Sequence, residues 1–152
     1  MAGSENQQWH IDSPHEAATH QPAHAVNVLV ALADVPLEAG PTQFARGSHV
    51  RTNHLRTPWQ RPWLRRDDLL YQSAAEVTPD ALGVACHPAE ALRAGDCLLF
   101  DDRVLHRGLA NGSSDERWVA YFGYRRERDM ALVDETHFEA SRSLFGYGSG
   151  VG

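Results

Sequence analysis

Between residues 25 and 32 the chain reads AVNVLVAL, with Val26, Val28, Val30 and Leu32 at every second position. Side chains two apart in an extended chain point the same way, so the run predicts a strand with one continuous apolar face. A helix would spread those four residues around its circumference. Other short runs repeat this character, each entered through turn residues. EAGP (38–41) leads into TQFAR, RAGD (93–96) into CLLFDD and then RVLH (103–106), and NGSSDE (111–116) into RWVAYFGYR (117–125). In the last run Arg117, Val119, Tyr121 and Gly123 share one face, opposite Trp118, Ala120, Phe122 and Tyr124. Helical spacing is confined to 65–76 and the brief PAEALR at 88–93. Short strands with Gly, Pro and Asn punctuation predict an antiparallel sandwich or barrel, and 152 residues make one domain.

Composition removes several functional classes. A net charge of −6 gives no general attraction to nucleic acid or to an anionic membrane. All 14 basic residues are Arg, which excludes lysine Schiff-base chemistry. Cys86 and Cys97 have no zinc-finger or redox spacing, and Ser113 and Ser114 lack the context of a hydrolase nucleophile. The apolar run AVNVLVALADV is too short to cross a bilayer, and MAGSENQQ has no secretory pattern, so a cytoplasmic setting is expected.

One segment breaks the strand pattern. Residues 46–66 hold six Arg, His49 and His54, Trp59 and Trp63, and no acidic residue. As a bland loop it would be solvated, with its tryptophans covering the core. As a functional one, the stretch 46–80 would form a lid over an anionic or aromatic substrate. Residues 144–152 read as a flexible tail. Of the remaining candidates, Trp9 and Trp118 are expected in the core, and His24 and Arg125 in solvent.

The richest cluster of ligating groups is QQWHIDSPHE (7–16). On an extended segment His10 and Asp12 face the same side, so both can reach one metal ion. His106, ending LLFDDRVLH, is the best third ligand. Two histidines and one carboxylate on one face of an octahedron leave open positions for substrate and O2. Arg117, eleven residues after His106, offers a planar fork suited to a carboxylate. A lone His-x-Asp arises often by chance.

Three segments taken together carry more weight. QQWHIDSPHE, PAHAVNVLVALADVPLEAGPTQFARGSH and AGDCLLFDDRVLHRGLANGSSDERWVAYFGYRR resemble, in order, the phytanoyl-CoA dioxygenase family of Fe(II)/2-oxoglutarate oxygenases. The resemblance implies a double-stranded β-helix, the jelly-roll or cupin-like fold. It implies that His10, Asp12 and His106 hold Fe(II) and that Arg117 binds the far carboxylate of 2-oxoglutarate. Gln43 would lie near the site, and His15, Trp59 and Trp63 are candidate substrate contacts. The implied reaction hydroxylates a small organic substrate, which the sequence does not identify, while 2-oxoglutarate is decarboxylated to succinate. The family topology also puts the last two strands in facing sheets, whereas Asn111-Gly112 taken locally is a hairpin signal.

Two departures from the family accompany the match. Gly108 offers no hydroxyl to the co-substrate, and the motif begins at His10 without the family's sizeable preceding segment. A jelly roll truncated in that way exposes an edge that a homo-oligomer or a partner subunit would complete. Two other functions fit the same residues: a cupin-like metal-binding domain without oxygenase activity, and a non-catalytic module that binds an anionic ligand through 46–66.

Overall fold

The computed structural model describes residues 3–12, 19–52 and 78–125. Five strands form: β1 (Ala25–Ala31), β2 (Thr42–Phe44), β3 (Cys97–Asp101), β4 (His106–Gly108) and β5 (Val119–Arg125). They make two antiparallel sheets, one ordered β3-β1-β5 and the other β2-β4. β4 and β5 therefore lie in different sheets. The Asn111 side chain is buried and ties its own loop together, accepting from Ser113 N and Oγ and donating to the Asp115 carbonyl. An Asx-type turn thus carries the chain between sheets, in place of a hairpin.

Two expected elements come out differently, and the structure settles a third point that the sequence left open. PAEALR is extended rather than helical: Leu92 and Val35 exchange backbone hydrogen bonds as an isolated bridge. Residues 102–104 turn, with the Val104 N–H donating to the Asp101 carbonyl at 2.9 Å, and the strand starts only at His106. Arg103 is the cause: it is buried and forks onto Asp101, with Nε at 2.8 Å and Nη2 at 2.6 Å. The third point is the orientation of β1. Its buried face is Ala25, Asn27, Leu29 and Ala31, while the valines are half-buried on the outside and Leu32 is 59% exposed. The small alanines leave room on the inner face for Phe100 and Tyr121 from the flanking strands, which pack around Leu29.

Trp118 is likewise 59% exposed rather than in the core, alongside Leu99, Phe122 and Tyr124 on the same outer surface. Its alternation with Val119 and Tyr121, which pack inward, is as the period-two pattern predicts. Leu29, Ala31, Val35, Ala39 and Leu92 form one buried cluster, and Ile11, Ala45 and Leu105 a second. The Phe44 and Phe100 rings meet at 4.9 Å and join the two sheets edge to face.

Among the described residues no helix is long and apolar enough to cross a membrane. The candidate helix at 65–76, most of the 46–80 excursion and the 144–152 tail lie outside the described residues.

Candidate metal centre

The segment before Asp12 reaches its position through the backbone. His10 and His106 exchange N–H to carbonyl bonds at 3.0 Å in both directions, and the Asp12 N–H donates to the Asp102 carbonyl at 2.8 Å. Residues 7–12 thus run as an irregular strand beside β4, which puts His10 directly opposite His106. The two rings lie 4.5 Å apart between centroids. Asp12, two residues on, points to the same side: its Oδ1 is 3.9 Å from His10 Nε2 and its Oδ2 is 3.5 Å from His106 Nε2.

Both imidazoles are held in one tautomer. His10 Nδ1 donates to the Gln8 carbonyl and His106 Nδ1 to the Val104 carbonyl, each at 2.8 Å. That turns each Nε2 toward the cluster, the arrangement that orients metal-binding histidines. Burial, reinforced by His106 and opposed by Asp12, pulls the His10 pKa down to about 4, so His10 is neutral at pH 7. His106 Nε2 is buried with no hydrogen-bond partner among the described residues. A buried nitrogen in that state costs free energy unless something takes its lone pair, and a cation would. Phe44 stacks on the His106 ring at 5.8 Å and Phe100 meets it edge-on at 5.0 Å, closing its apolar side.

One ligand atom from each of His10, Asp12 and His106 falls within 4.8 Å of the others. Ligands at right angles around one metal sit about 3 Å apart, so small side-chain movements would suffice. Two imidazoles and a carboxylate are a donor set that suits a divalent cation.

The carboxylate has support that sequence reading missed. Asn27 Nδ2 donates to Asp12 Oδ2 at 2.5 Å and the Tyr121 hydroxyl donates to the same oxygen at 2.7 Å. Asn27 comes from β1 and Tyr121 from its partner strand β5, both on inward faces. Burial first, then the Asp12 charge, raises the Tyr121 pKa, so it remains a neutral donor. The signal was a single polar residue inside an apolar run, at Asn27. His24 and Arg125, expected in solvent, instead face buried Asp102 at 3.6 and 3.5 Å. They surround the residue whose carbonyl anchors Asp12.

Arg117 reaches β4 at Gly108. A Cβ built on Gly108 would come 3.4 Å from Arg117 Nη2, and position 108 faces the same side of β4 as His106. Gln43 does not share that side. It pairs across the sheet with Arg107, accepting from Arg107 Nε at 2.9 Å, while its neighbour Phe44 pairs with His106. His15, Trp59 and Trp63 lie outside the described residues.

Two histidines and a carboxylate gathered between antiparallel sheets are the donor set of two-histidine, one-carboxylate metal sites. The chain belongs to the phytanoyl-CoA dioxygenase family, whose model, described as Phytanoyl-CoA dioxygenase (PhyH), matches residues 1–119. It is similar to Dioxygenase hkm4 of Aspergillus hancockii, 30% identical over 119 residues that cover 74% of this chain and 30% of that one.

Among solved structures it is similar to the non-heme alpha ketoglutarate dependent carbocyclase SnoK from nogalamycin biosynthesis. That match has 24% identity and a TM-score of 0.55, over 86% of this chain and 51% of SnoK. The epimerase SnoN, in complex with Fe3+, alpha ketoglutarate and nogalamycin RO, is 26% identical with a TM-score of 0.52. That match covers 88% of this chain and 49% of SnoN. The fold is the mainly β, cupin-like jelly roll of these proteins. The chain spans 30% of the curated relative and about half of either structure.

Proposed function

We propose that this chain is a single jelly-roll domain acting as an Fe(II)/2-oxoglutarate-dependent dioxygenase. In this reading His10, Asp12 and His106 hold the metal, Arg117 binds the far carboxylate of 2-oxoglutarate, and a small organic molecule is hydroxylated as succinate is released. The observation that carries the reading is the convergence of two Nε2 atoms and one carboxylate within 4.8 Å. Family membership and the likeness to SnoN, whose structure holds Fe3+ and alpha ketoglutarate, support it.

Bound iron would supply the redox chemistry that couples O2 to oxidation of a C–H bond. The chain's own part is to hold three ligands on one side, to seat the co-substrate's free end on Arg117, and to keep water from the apolar wall of Phe44 and Phe100. The substrate class stays open, because the relatives are named for a carbocyclase, an epimerase and a dioxygenase.

Two further points belong to the same reading. The outer face of β3-β1-β5, carrying Leu99, Phe122, Tyr124 and Trp118, supports a homo-oligomer or partner subunit as its cover. Free thiols at Cys86 and Cys97 agree with a cytoplasmic setting.

The test is anaerobic titration of metal-free protein with Fe(II) and then 2-oxoglutarate, watching the visible charge-transfer band of an iron-bound keto acid. Wild type should develop the band, Arg117→Ala should weaken it, and His106→Ala should lose it with the metal. Metal binding without a band would favour the metal-binding domain without oxygenase activity. A chain that takes up no metal would overturn the reading.

A further inference from the structure

We propose that Asn27 and Tyr121 are positioning residues that confine Asp12 to one-oxygen ligation, so that a coordination position stays open beside it. The inference rests on the metal-site reading above and extends it to two residues outside the ligand set.

Both donors converge on one atom. Asn27 Nδ2 and the Tyr121 hydroxyl each donate to Asp12 Oδ2, and neither is placed on Oδ1. A carboxylate oxygen has about two lone-pair directions, so two donors fill Oδ2 and leave Oδ1 as the free ligating atom. Oδ1 faces His10 Nε2 at 3.9 Å, while Oδ2, the oxygen the two donors occupy, lies 3.5 Å from His106 Nε2. Without this pinning a carboxylate can turn and give both oxygens to a metal, which would take a position the co-substrate or O2 needs.

The two donors are themselves fixed. Asn27 is buried on β1, and Tyr121 pairs with Leu29 two residues along the same strand, so the sheet register sets their spacing. The Tyr121 ring packs against Phe100, which in turn meets the His106 ring. Behind them the Asp12 N–H is anchored on the Asp102 carbonyl, which leaves rotation of the side chain as the freedom to be controlled.

Co(II) is the probe, because its visible d–d bands report the number of ligands. Its dissociation constant would be measured by competition with a chromophoric chelator for wild type, Tyr121→Phe and Asn27→Ala. Urea unfolding of each metal-free protein would be measured alongside. Loss of either donor should weaken Co(II) binding about 10–100-fold, the usual effect of removing a partner of a metal ligand. The d–d intensity of the occupied site should also change, in a protein that still unfolds cooperatively.

A purely structural role would shift the urea midpoint and leave the affinity and the spectrum of folded molecules as in wild type. That result in Tyr121→Phe overturns the proposal, as does a Tyr121→Phe protein that fails to fold. Should Asn27→Ala not fold, Tyr121→Phe alone decides. Wild type that binds no Co(II) overturns the metal-site reading as well, whereas wild type that binds while both variants match it overturns this inference only.

Discussion

At the scale of single residues, the state of the candidate centre is set by where two protons sit. Each Nδ1 is committed to a backbone carbonyl two residues away, so each Nε2 is left to ligate. His10 and Asp12 were legible in the sequence because their relation is local, two positions along an extended segment. Asn27 and Tyr121 were not, since they reach Asp12 from 15 and 109 residues away. Neutral His10 has a measurable consequence. Its folded pKa, about 4, lies below the unfolded value of 6.5, so the unfolded chain binds more protons between them. The metal-free protein should therefore be fully stabilised above pH 6.5 and lose up to a few kcal/mol as pH falls toward 4. Urea midpoints measured across that range should show the decline, and His10→Gln should flatten it.

At the scale of elements, a strand's period is written in its sequence and its orientation is not. β1 carries apolar residues on both faces, and the larger set, Val26, Val28 and Val30, is the outer one. The inner face is chosen by what must fit there: Leu29 against Leu98, Phe100, Val119 and Tyr121, and Asn27 against Asp12. Leu29→Ala should thus cost about 2–5 kcal/mol, while Leu99→Ala, at 68% exposure, should cost about 0.5 kcal/mol or less. Chemical denaturation of the two variants checks this directly, and equal losses would contradict the assigned faces. The turn at EAGP makes a stricter demand. Gly40 has φ of 69°, and a Cβ there would lie 2.3 Å from the Ala110 carbonyl oxygen. Gly40→Ala should cost about 1–3 kcal/mol from backbone strain alone, and more from the collision, read as a lowered thermal midpoint.

Across the whole molecule, the candidate ligands join distant parts of the chain. His10 and Asp12 come from the N-terminal segment, His106 from β4, and the groups behind Asp12 from β1, β3–β4 and β5. A cation that binds only this folded arrangement adds stability by mass action, about 2.7 kcal/mol at a concentration one hundred times its dissociation constant. Thermal unfolding should move upward on adding Fe(II) under anaerobic conditions, return on chelation, and stay put in His106→Ala.

The sequence by itself determined the mainly β class and most strand segments, and it singled out His10 and Asp12 as candidate ligands, because local periodicity, turn chemistry and a two-residue spacing are properties of neighbours along the chain. His106 and Arg117 were assigned through the family resemblance. Tertiary structure decided which face of β1 is buried, why residues 102–104 turn instead of extending, and that Gln43 looks away from His106. It also decided that Asn27 and Tyr121 share one oxygen of Asp12. Each of those depends on what the opposite sheet or a neighbouring strand presents, and a one-dimensional pattern holds no record of its partner across the fold.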